Sequence, residues 1–158
     1  MKNTTTVERA SDRELVVTRT FNGPARIVFE AWSKPELLQR WWVPKSFGMS
    51  FVSCEADVRT GGTYRFVLSH PDFEQPMAFF GRYIEVTPPS RIVWTNEESA
   101  DNAITTVTFE EQDGKTHLVL RELYPSKQAL DDAIASGTSG TDATPEQFAL
   151  LDDLLVTL

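Results

Sequence analysis

The central part of the sequence is a succession of short β-type segments joined by tight turns. Six segments rich in β-branched and aromatic residues follow one another, at positions 49–56, 63–70, 77–86, 92–96, 104–110 and 116–124. The residues between them are turn formers, among them Gly61-Gly62 and Asp113-Gly114. Connections this short favour antiparallel neighbours, because parallel strands need a crossover of a dozen or more residues. The segment order therefore predicts an antiparallel meander, with its clearest hairpin signal at Asp113-Gly114.

Helical patterns flank the meander on both sides. After a predicted strand at 14–21, apolar residues recur at helical spacing on either side of Ser33-Lys34-Pro35, which predicts two short helices, each begun by a proline. Near the C-terminus, Thr144-Pro145-Glu146-Gln147 has the capping-box pattern and precedes a helix with one apolar face. The predicted order is β-αα-β6-α. This is an α+β fold in which a curved antiparallel sheet wraps around the C-terminal helix.

Charge and composition exclude several classes of protein. The net charge of −8 repels phosphate backbones, so no nucleic-acid partner is expected. Cys54 is the only cysteine, which excludes an internal disulfide and favours a reducing, cytoplasmic environment. No apolar run approaches the roughly 18 residues that span a bilayer, so no membrane insertion is expected. Residues 1–13 are polar and are predicted to form a flexible leader before one domain at 14–158.

Motifs for catalysis or metal binding are missing from the sequence. The two histidines, His70 and His117, lie on different predicted strands, and with one cysteine they lack the spacing of a metal site. No nucleophile elbow, phosphate-binding glycine loop, dinucleotide fingerprint or zinc-protease helix is present. We therefore predict no metal, no cofactor and no catalytic residue, and the absence of a motif favours a protein that is not an enzyme.

Two charged positions each allow two interpretations. Glu55 is followed by Asp57 and Arg59, which fits either an acid/base pair at a pocket mouth or a salt bridge at a strand end. Arg82 could hold a ligand carboxylate through its bidentate fork, or it could face solvent. Glu55 and Arg82 are kept as candidate polar groups of a pocket, although the solvent-side interpretation is the simpler one for both.

Aromatic residues are concentrated between Trp41 and Trp94 and form the main functional signal. Several lie on successive predicted strands, so one face of the sheet should be strongly aromatic. Large rings on a curved sheet leave gaps that can become apolar ligand cavities, although the same rings could form an ordinary core. The candidate pocket residues are Trp41, Trp42, Phe51, Tyr64, Phe66, Phe79, Tyr83, Trp94 and Phe148.

The order of several sequence blocks resembles a known family. FNGPARIVFEAWSKPELLQRWW, Pro44-Lys45, CEADVRTGGTYRF and EVTPPSRIVWT follow one another as in the AHSA-type branch of the START-like (SRPBCC, birch-pollen-allergen-like) superfamily. Its members are bacterial relatives of the C-terminal domain of the activator of the 90-kDa heat-shock protein ATPase. The resemblance covers residues 15–158 and implies a helix-grip fold with a deep apolar cavity between sheet and helix. It implies no shared catalytic residue. Unlike the usual continuous final helix, residues 138–145 predict a break near Thr144.

Three functions remain open from the sequence. The leading hypothesis is a binding protein for a small hydrophobic or aromatic ligand. The second is an enzyme of cyclase, dehydratase or hydrolase type, with Glu55, Asp57, Arg82, Tyr83 and His70 as candidate proton-transfer groups. The third and weakest is a co-chaperone, because the resemblance covers only one domain of the heat-shock activator. The exposed sheet edge also makes a homodimer conceivable.

Overall fold

The described part of the chain folds into one antiparallel sheet and four helices. The computed structural model describes residues 5–43, 45–72, 74–97, 103–136 and 144–158. The strands are β1 (Thr6–Arg9), β2 (Glu14–Phe21), β3 (Ser50–Ala56), β4 (Thr63–Ser69), β5 (Met77–Thr87), β6 (Arg91–Thr95), β7 (Ile104–Gln112) and β8 (Lys115–Leu123). The helices are α1 (Ala25–Ser33), α2 (Pro35–Trp41), α3 (Lys127–Ser136) and α4 (Thr144–Leu155), with a 3₁₀ turn at Lys45–Phe47.

The strand order of the sheet is β1-β2-β8-β7-β6-β5-β4-β3, and each neighbouring pair is antiparallel. Strands β3 to β8 are the predicted meander, and β2 joins it by pairing with β8. At the β7–β8 hairpin, Asp113 (φ 54°) and Gly114 (φ 76°) are both left-handed, as a two-residue turn of this kind requires. The predicted α+β fold with a curved antiparallel sheet is therefore confirmed.

Three details of the predicted order are corrected. Thr6–Arg9 falls in the predicted leader, yet it forms β1, because its backbone pairs with the free edge of β2. Pro24 caps α1 instead of opening it, and its ψ of 154° is extended. The predicted order counts one final helix with a break near Thr144, and the structure has two separate helices there, α3 and α4. The second begins at Thr144, where the break was expected, and residues 137–143 lie outside the described part of the chain.

The main core lies between one face of the sheet and helices α1, α2 and α4. Helix α1 buries Val28, Phe29 and Trp32 against the sheet, as its apolar spacing predicts. Helix α3 belongs to a separate small cluster, in which Leu130 packs near Leu15. Within the described residues, no helix has the length and apolarity needed to cross a membrane.

Gly81 allows strands β5 and β6 to approach each other closely. A Cβ atom at this position would lie 2.0 Å from the carbonyl oxygen of Thr95, so no larger residue fits without moving backbone. The Tyr64 hydroxyl donates a hydrogen bond to the same oxygen at 2.7 Å. The close approach therefore positions Tyr64 on β4 beside the residues of β5 and β6.

Helix α4 is tied to the sheet by Arg19 of β2. This side chain is only 9% exposed, and its guanidinium forms an ion pair with Asp152 of α4. It also donates a hydrogen bond to the Thr5 hydroxyl at 3.0 Å and lies 5.4 Å from the centre of the Phe21 ring. The pair links β2, α4 and the start of the chain.

Replacing Asp152 by alanine is expected to destabilise the fold by about 2–3 kcal/mol, because it leaves the Arg19 charge buried without its partner. The loss is measured by urea unfolding at pH 7. Asp153→Ala is the matched control, since Asp153 is the exposed neighbour on the same helix and should cost less than about 0.5 kcal/mol. Equal losses in the two variants would contradict a specific role for the pair.

Candidate functional site: an aromatic cavity

A cavity of about 670 Å³ lies between the sheet and helices α1, α2 and α4. Its floor is made by strands β4 to β8, and its roof includes Trp32 of α1, Trp41 of α2 and Phe148 of α4. This volume is far larger than the space that a single buried water molecule needs. It falls within the range of about 300–1,000 Å³ that is typical of small-molecule pockets.

The cavity is walled by aromatic rings that meet at tilted or edge-to-face angles. Trp32 and Trp41 lie 4.6 Å apart, centre to centre. Trp42 contacts the Phe66 ring at 5.0 Å and the Phe79 ring at 5.2 Å, both edge to face. Rings in such orientations expose their faces instead of stacking flat. The wall therefore offers both ring edges and ring faces to the enclosed space.

The structure brings together eight of the nine aromatic residues singled out from the sequence. Phe51 is the exception, because its ring packs behind the wall, 6.3 Å from Trp42 and 6.0 Å from Phe66. Trp32 and Glu122 also line the cavity and were not among the sequence candidates. The eight that line it are Trp41, Trp42, Tyr64, Phe66, Phe79, Tyr83, Trp94 and Phe148.

The placement of Glu55 and Arg82 in the pocket is corrected. Glu55 is exposed on β3, since its neighbours Cys54 and Ala56 are the ones that pack on the core. Arg82 is also exposed and pairs with Glu97 at 2.9 Å, whereas the adjacent Tyr83 points inward. Hydrogen bonds from the Thr95 hydroxyl and, as the second cause, from Arg82 hold the pKa of the Glu97 carboxyl below its usual range. The side chains of Glu55 and Arg82 therefore lie on the outer face of the sheet.

Asp57 likewise forms a strand-end ion pair with Arg59, at 2.8 Å, and is exposed. Of the five groups considered for proton transfer from the sequence, only Tyr83 and His70 line the cavity. His70 lies at the end of β4, and its Nδ1 accepts a hydrogen bond from the Asp72 backbone at 3.0 Å. Tyr83 and His70 therefore face the cavity, whereas the other three candidates, Glu55, Asp57 and Arg82, face solvent.

One end of the cavity is polar and is built by a row of residues that cross the sheet. Tyr83 lies opposite Trp94, Trp94 opposite Thr105, and Thr105 opposite Glu122. Directly opposed residues in an antiparallel sheet share a face, so all four side chains point into the cavity. The Asn96 amide adds to this end and donates a hydrogen bond to the Thr105 hydroxyl oxygen at 2.9 Å.

Glu122 is the acidic residue of this polar end. Burial raises the pKa of its carboxyl to about 8, because ionisation would place a charge among apolar side chains. Within the described residues, no hydrogen bond or ion pair joins this carboxyl to another group. The surface that it retains faces the cavity.

The opposite end of the cavity contains its most exposed apolar lining. Phe47 is 42% exposed and Met77 is 39% exposed, whereas Leu68, directly opposite Met77 on β4, is fully buried. Met77 and Tyr83 are six residues apart on β5, which corresponds to about 20 Å of strand. The cavity is therefore an elongated space with an apolar rim and a polar far end.

The family pattern described as Activator of Hsp90 ATPase homolog 1-like protein matches residues 22–155. The chain belongs to this family. Several solved structures have a similar fold. A Rhodobacter sphaeroides protein is 22% identical, with a TM-score of 0.84, covering 98% of this chain and 99% of that one.

Two further solved structures share the fold of this family member. A Nitrosomonas europaea protein is 20% identical, with a TM-score of 0.79 and coverage of 94% and 97% of the two chains. A Mycobacterium smegmatis protein is 23% identical, with a TM-score of 0.78 and coverage of 97% and 98%. No curated protein matches the chain. Similarity at this level of identity shows the fold alone.

The chemistry available to this family member lies in few groups. Burial, and to a smaller extent the negative charge of Glu36, raises the pKa of the Cys54 thiol to about 11. The thiol therefore stays protonated and unreactive. Burial, and to a smaller extent the electrostatic effect of Cys54 and Asp57, raises the pKa of the Tyr83 phenol above its usual range. Across the described ranges, no three histidine, cysteine or acidic side chains cluster to hold a metal ion. The groups left for recognition are neutral hydrogen-bonding groups and the Glu122 carboxyl.

Proposed function

We propose that the protein binds a small apolar or aromatic molecule inside the cavity. The observation that carries the proposal is a 670 Å³ space lined mainly by aromatic rings, with Glu122, Thr105 and Asn96 together at one end. Sites for small molecules combine a mostly apolar lining with a few placed polar groups that fix the orientation of the ligand. The fold supports the same proposal, because the sheet and helices leave this volume beside the packed core.

Filling the cavity is expected to abolish binding of a neutral apolar probe. Ile92 is 1% exposed and lines the floor, so Ile92→Trp would place an indole in the enclosed space. The probe is N-phenyl-1-naphthylamine, whose fluorescence rises when it leaves water. We expect micromolar binding to the wild type and at least roughly tenfold weaker binding to Ile92→Trp, in a fluorescence titration.

Ile84→Trp is the matched control for this experiment. Ile84 lies on the neighbouring strand, is 49% exposed and does not line the cavity, so the same substitution should leave probe binding unchanged. Circular dichroism checks that both variants are folded. The proposal fails if the wild type does not bind the probe, or if both variants bind it as the wild type does.

Glu122 also favours a second candidate function, an enzyme that uses the same cavity. A carboxyl with a pKa near neutrality can donate or accept a proton at working pH. Native mass spectrometry of freshly purified protein distinguishes the two functions. A retained molecule that is released with its mass unchanged after incubation supports binding, whereas its conversion to a product, lost in Glu122→Gln, supports catalysis.

A further inference from the structure

We propose that the cavity selects an apolar amine, whose ammonium group pairs with the Glu122 carboxylate while its hydrocarbon or aromatic part fills the space between the rings. This inference rests on the proposed function and names the chemical class of its ligand. It comes from the position of Glu122, from the charges that the lining contains and from the aromatic rings that share the row of Glu122 across the sheet.

The Glu122 carboxyl occupies a position in which a ligand could supply its partner. Its side chain lines the cavity in the row formed by Tyr83, Trp94 and Thr105, and no described residue bonds to its carboxyl. A buried charge is stable only when it is paired, and a buried polar group is costly when it is unsatisfied. A ligand with a cationic hydrogen-bond donor would meet both needs of this carboxyl.

The charges of the lining select against the alternative ligand classes. No lysine or arginine belongs to the described lining, so a fatty acid or another carboxylate would enter without a counter-charge. Such a ligand would also meet the Glu122 carboxyl and the overall charge of −8. A neutral apolar molecule would fit the rings but would leave the carboxyl without a partner. An amine uses both parts of the cavity.

The aromatic rings in the row of Glu122 add to this selectivity. Trp94 lies two strands from Glu122 and Tyr83 three strands, about 10 and 14 Å along the sheet, and the faces of such rings attract cations. The Thr105 hydroxyl oxygen accepts a hydrogen bond from the Asn96 amide, and its own hydrogen can be donated in a second hydrogen bond. A carboxylate with a hydroxyl opposite it and aromatic rings further along the same row is a suitable environment for an ammonium group.

Proton release identifies Glu122 as the group that pairs with the amine. At pH 7 the ligand arrives as an ammonium ion and Glu122 is largely protonated, so forming the ion pair sends the carboxyl proton to solvent. Among the described residues, the other groups beside Glu122 in its row carry no charge near neutral pH, and His70 lies toward the opposite rim. These uncharged neighbours, from β2, β6 and β7 and the residue that follows β6, are Leu15, Trp94, Thr105 and Asn96.

The test compares three probes that share a naphthalene ring: 1-naphthalenemethylamine, 1-naphthalenemethanol and 1-naphthaleneacetic acid. Isothermal titration calorimetry at pH 7, in phosphate and in Tris, gives both affinity and proton release. We expect the amine to bind roughly tenfold more tightly than the alcohol, and the acid to bind more weakly than both. With a pKa of about 8, Glu122 should release about 0.9 proton per amine bound, and none with the alcohol.

Glu122→Gln is expected to remove the preference for the amine and the proton release while keeping alcohol binding. Glu110→Gln, an exposed position on β7, is the matched control and should behave as the wild type. If the alcohol binds and the amine gains nothing, the amine proposal is wrong and the cavity proposal stands. The amine proposal is also wrong, and the cavity proposal again stands, if the acid binds best. If none of the three binds, both proposals fail.

Discussion

Glu122→Gln is expected to raise the free energy of unfolding much more at alkaline than at acidic pH. The pKa of this carboxyl is about 8 in the folded protein and about 4.5 in the unfolded chain. Below pH 4.5 both states are protonated, and burial carries no ionic penalty. Between pH 4.5 and 8 the unfolded state loses the proton while the folded state keeps it, so stability falls as the pH rises.

Above pH 8 the loss from Glu122 is complete and amounts to about 5 kcal/mol. The glutamine variant has no such loss, because its amide is neutral throughout. The stability difference between variant and wild type is therefore expected to widen by about 3 kcal/mol between pH 5.5 and pH 9. Urea unfolding of both proteins at these two pH values measures it.

Glu110→Gln separates this effect from the general charge of the protein. It changes the net charge by the same amount, but the side chain is exposed, so its stability difference from the wild type should vary by less than about 0.5 kcal/mol over the same range. A stability difference for Glu122→Gln that is the same at both pH values would show that the carboxyl is not desolvated. It would also weaken the amine proposal, whose proton release depends on the same protonated group.

The parts of the fold that can be predicted from sequence depend on local patterns. The Asp113-Gly114 hairpin is an example, since the left-handed turn and the pairing of Gln112 with Lys115 involve adjacent residues. Strand β1 escapes prediction for the opposite reason. Val7 pairs with Val17, and this pairing satisfies the edge of β2 whatever the polarity of the segment. Nothing in the four residues themselves distinguishes such a strand from a leader.

The same distinction explains the candidate site. Aromatic residues such as Tyr64 and Phe66 are predictable because ring size and strand alternation already imply an inward face. Glu122 is not among the sequence candidates although a signal exists: it is in phase with Leu118 and Leu120, both buried, at the period of two that places side chains on one face of a strand. The sequence misplaces Arg82 because aromatic residues on both faces of β5 hide the phase of that strand.

Trp41 is the residue of the cavity roof on which the two first helices depend most. Its side chain is 1% exposed, packs against Trp32 and donates its indole N–H to the Ala31 carbonyl at 2.9 Å. In a continuous helix that carbonyl would accept from the residue four positions later, which here is Pro35 and has no N–H. Trp41, at the end of α2, thus donates the hydrogen bond that the Ala31 carbonyl near the end of α1 would otherwise lack. This bond fixes the angle at which both helices cover the cavity.

Trp41→Ala is therefore expected to cost about 3–5 kcal/mol, from lost burial, the enlarged cavity and the unpaired Ala31 carbonyl. Trp41→Phe keeps most of the ring volume and should cost about 1–2 kcal/mol for the lost hydrogen bond. The control is Trp42→Ala on the next, half-buried residue, which should cost less than half as much as Trp41→Ala because its ring faces the cavity. Urea unfolding at pH 7 measures all three. A Trp41→Phe protein as stable as the wild type would rule out the helix-joining hydrogen bond, and equal losses for the two alanine variants would rule out the special position of Trp41.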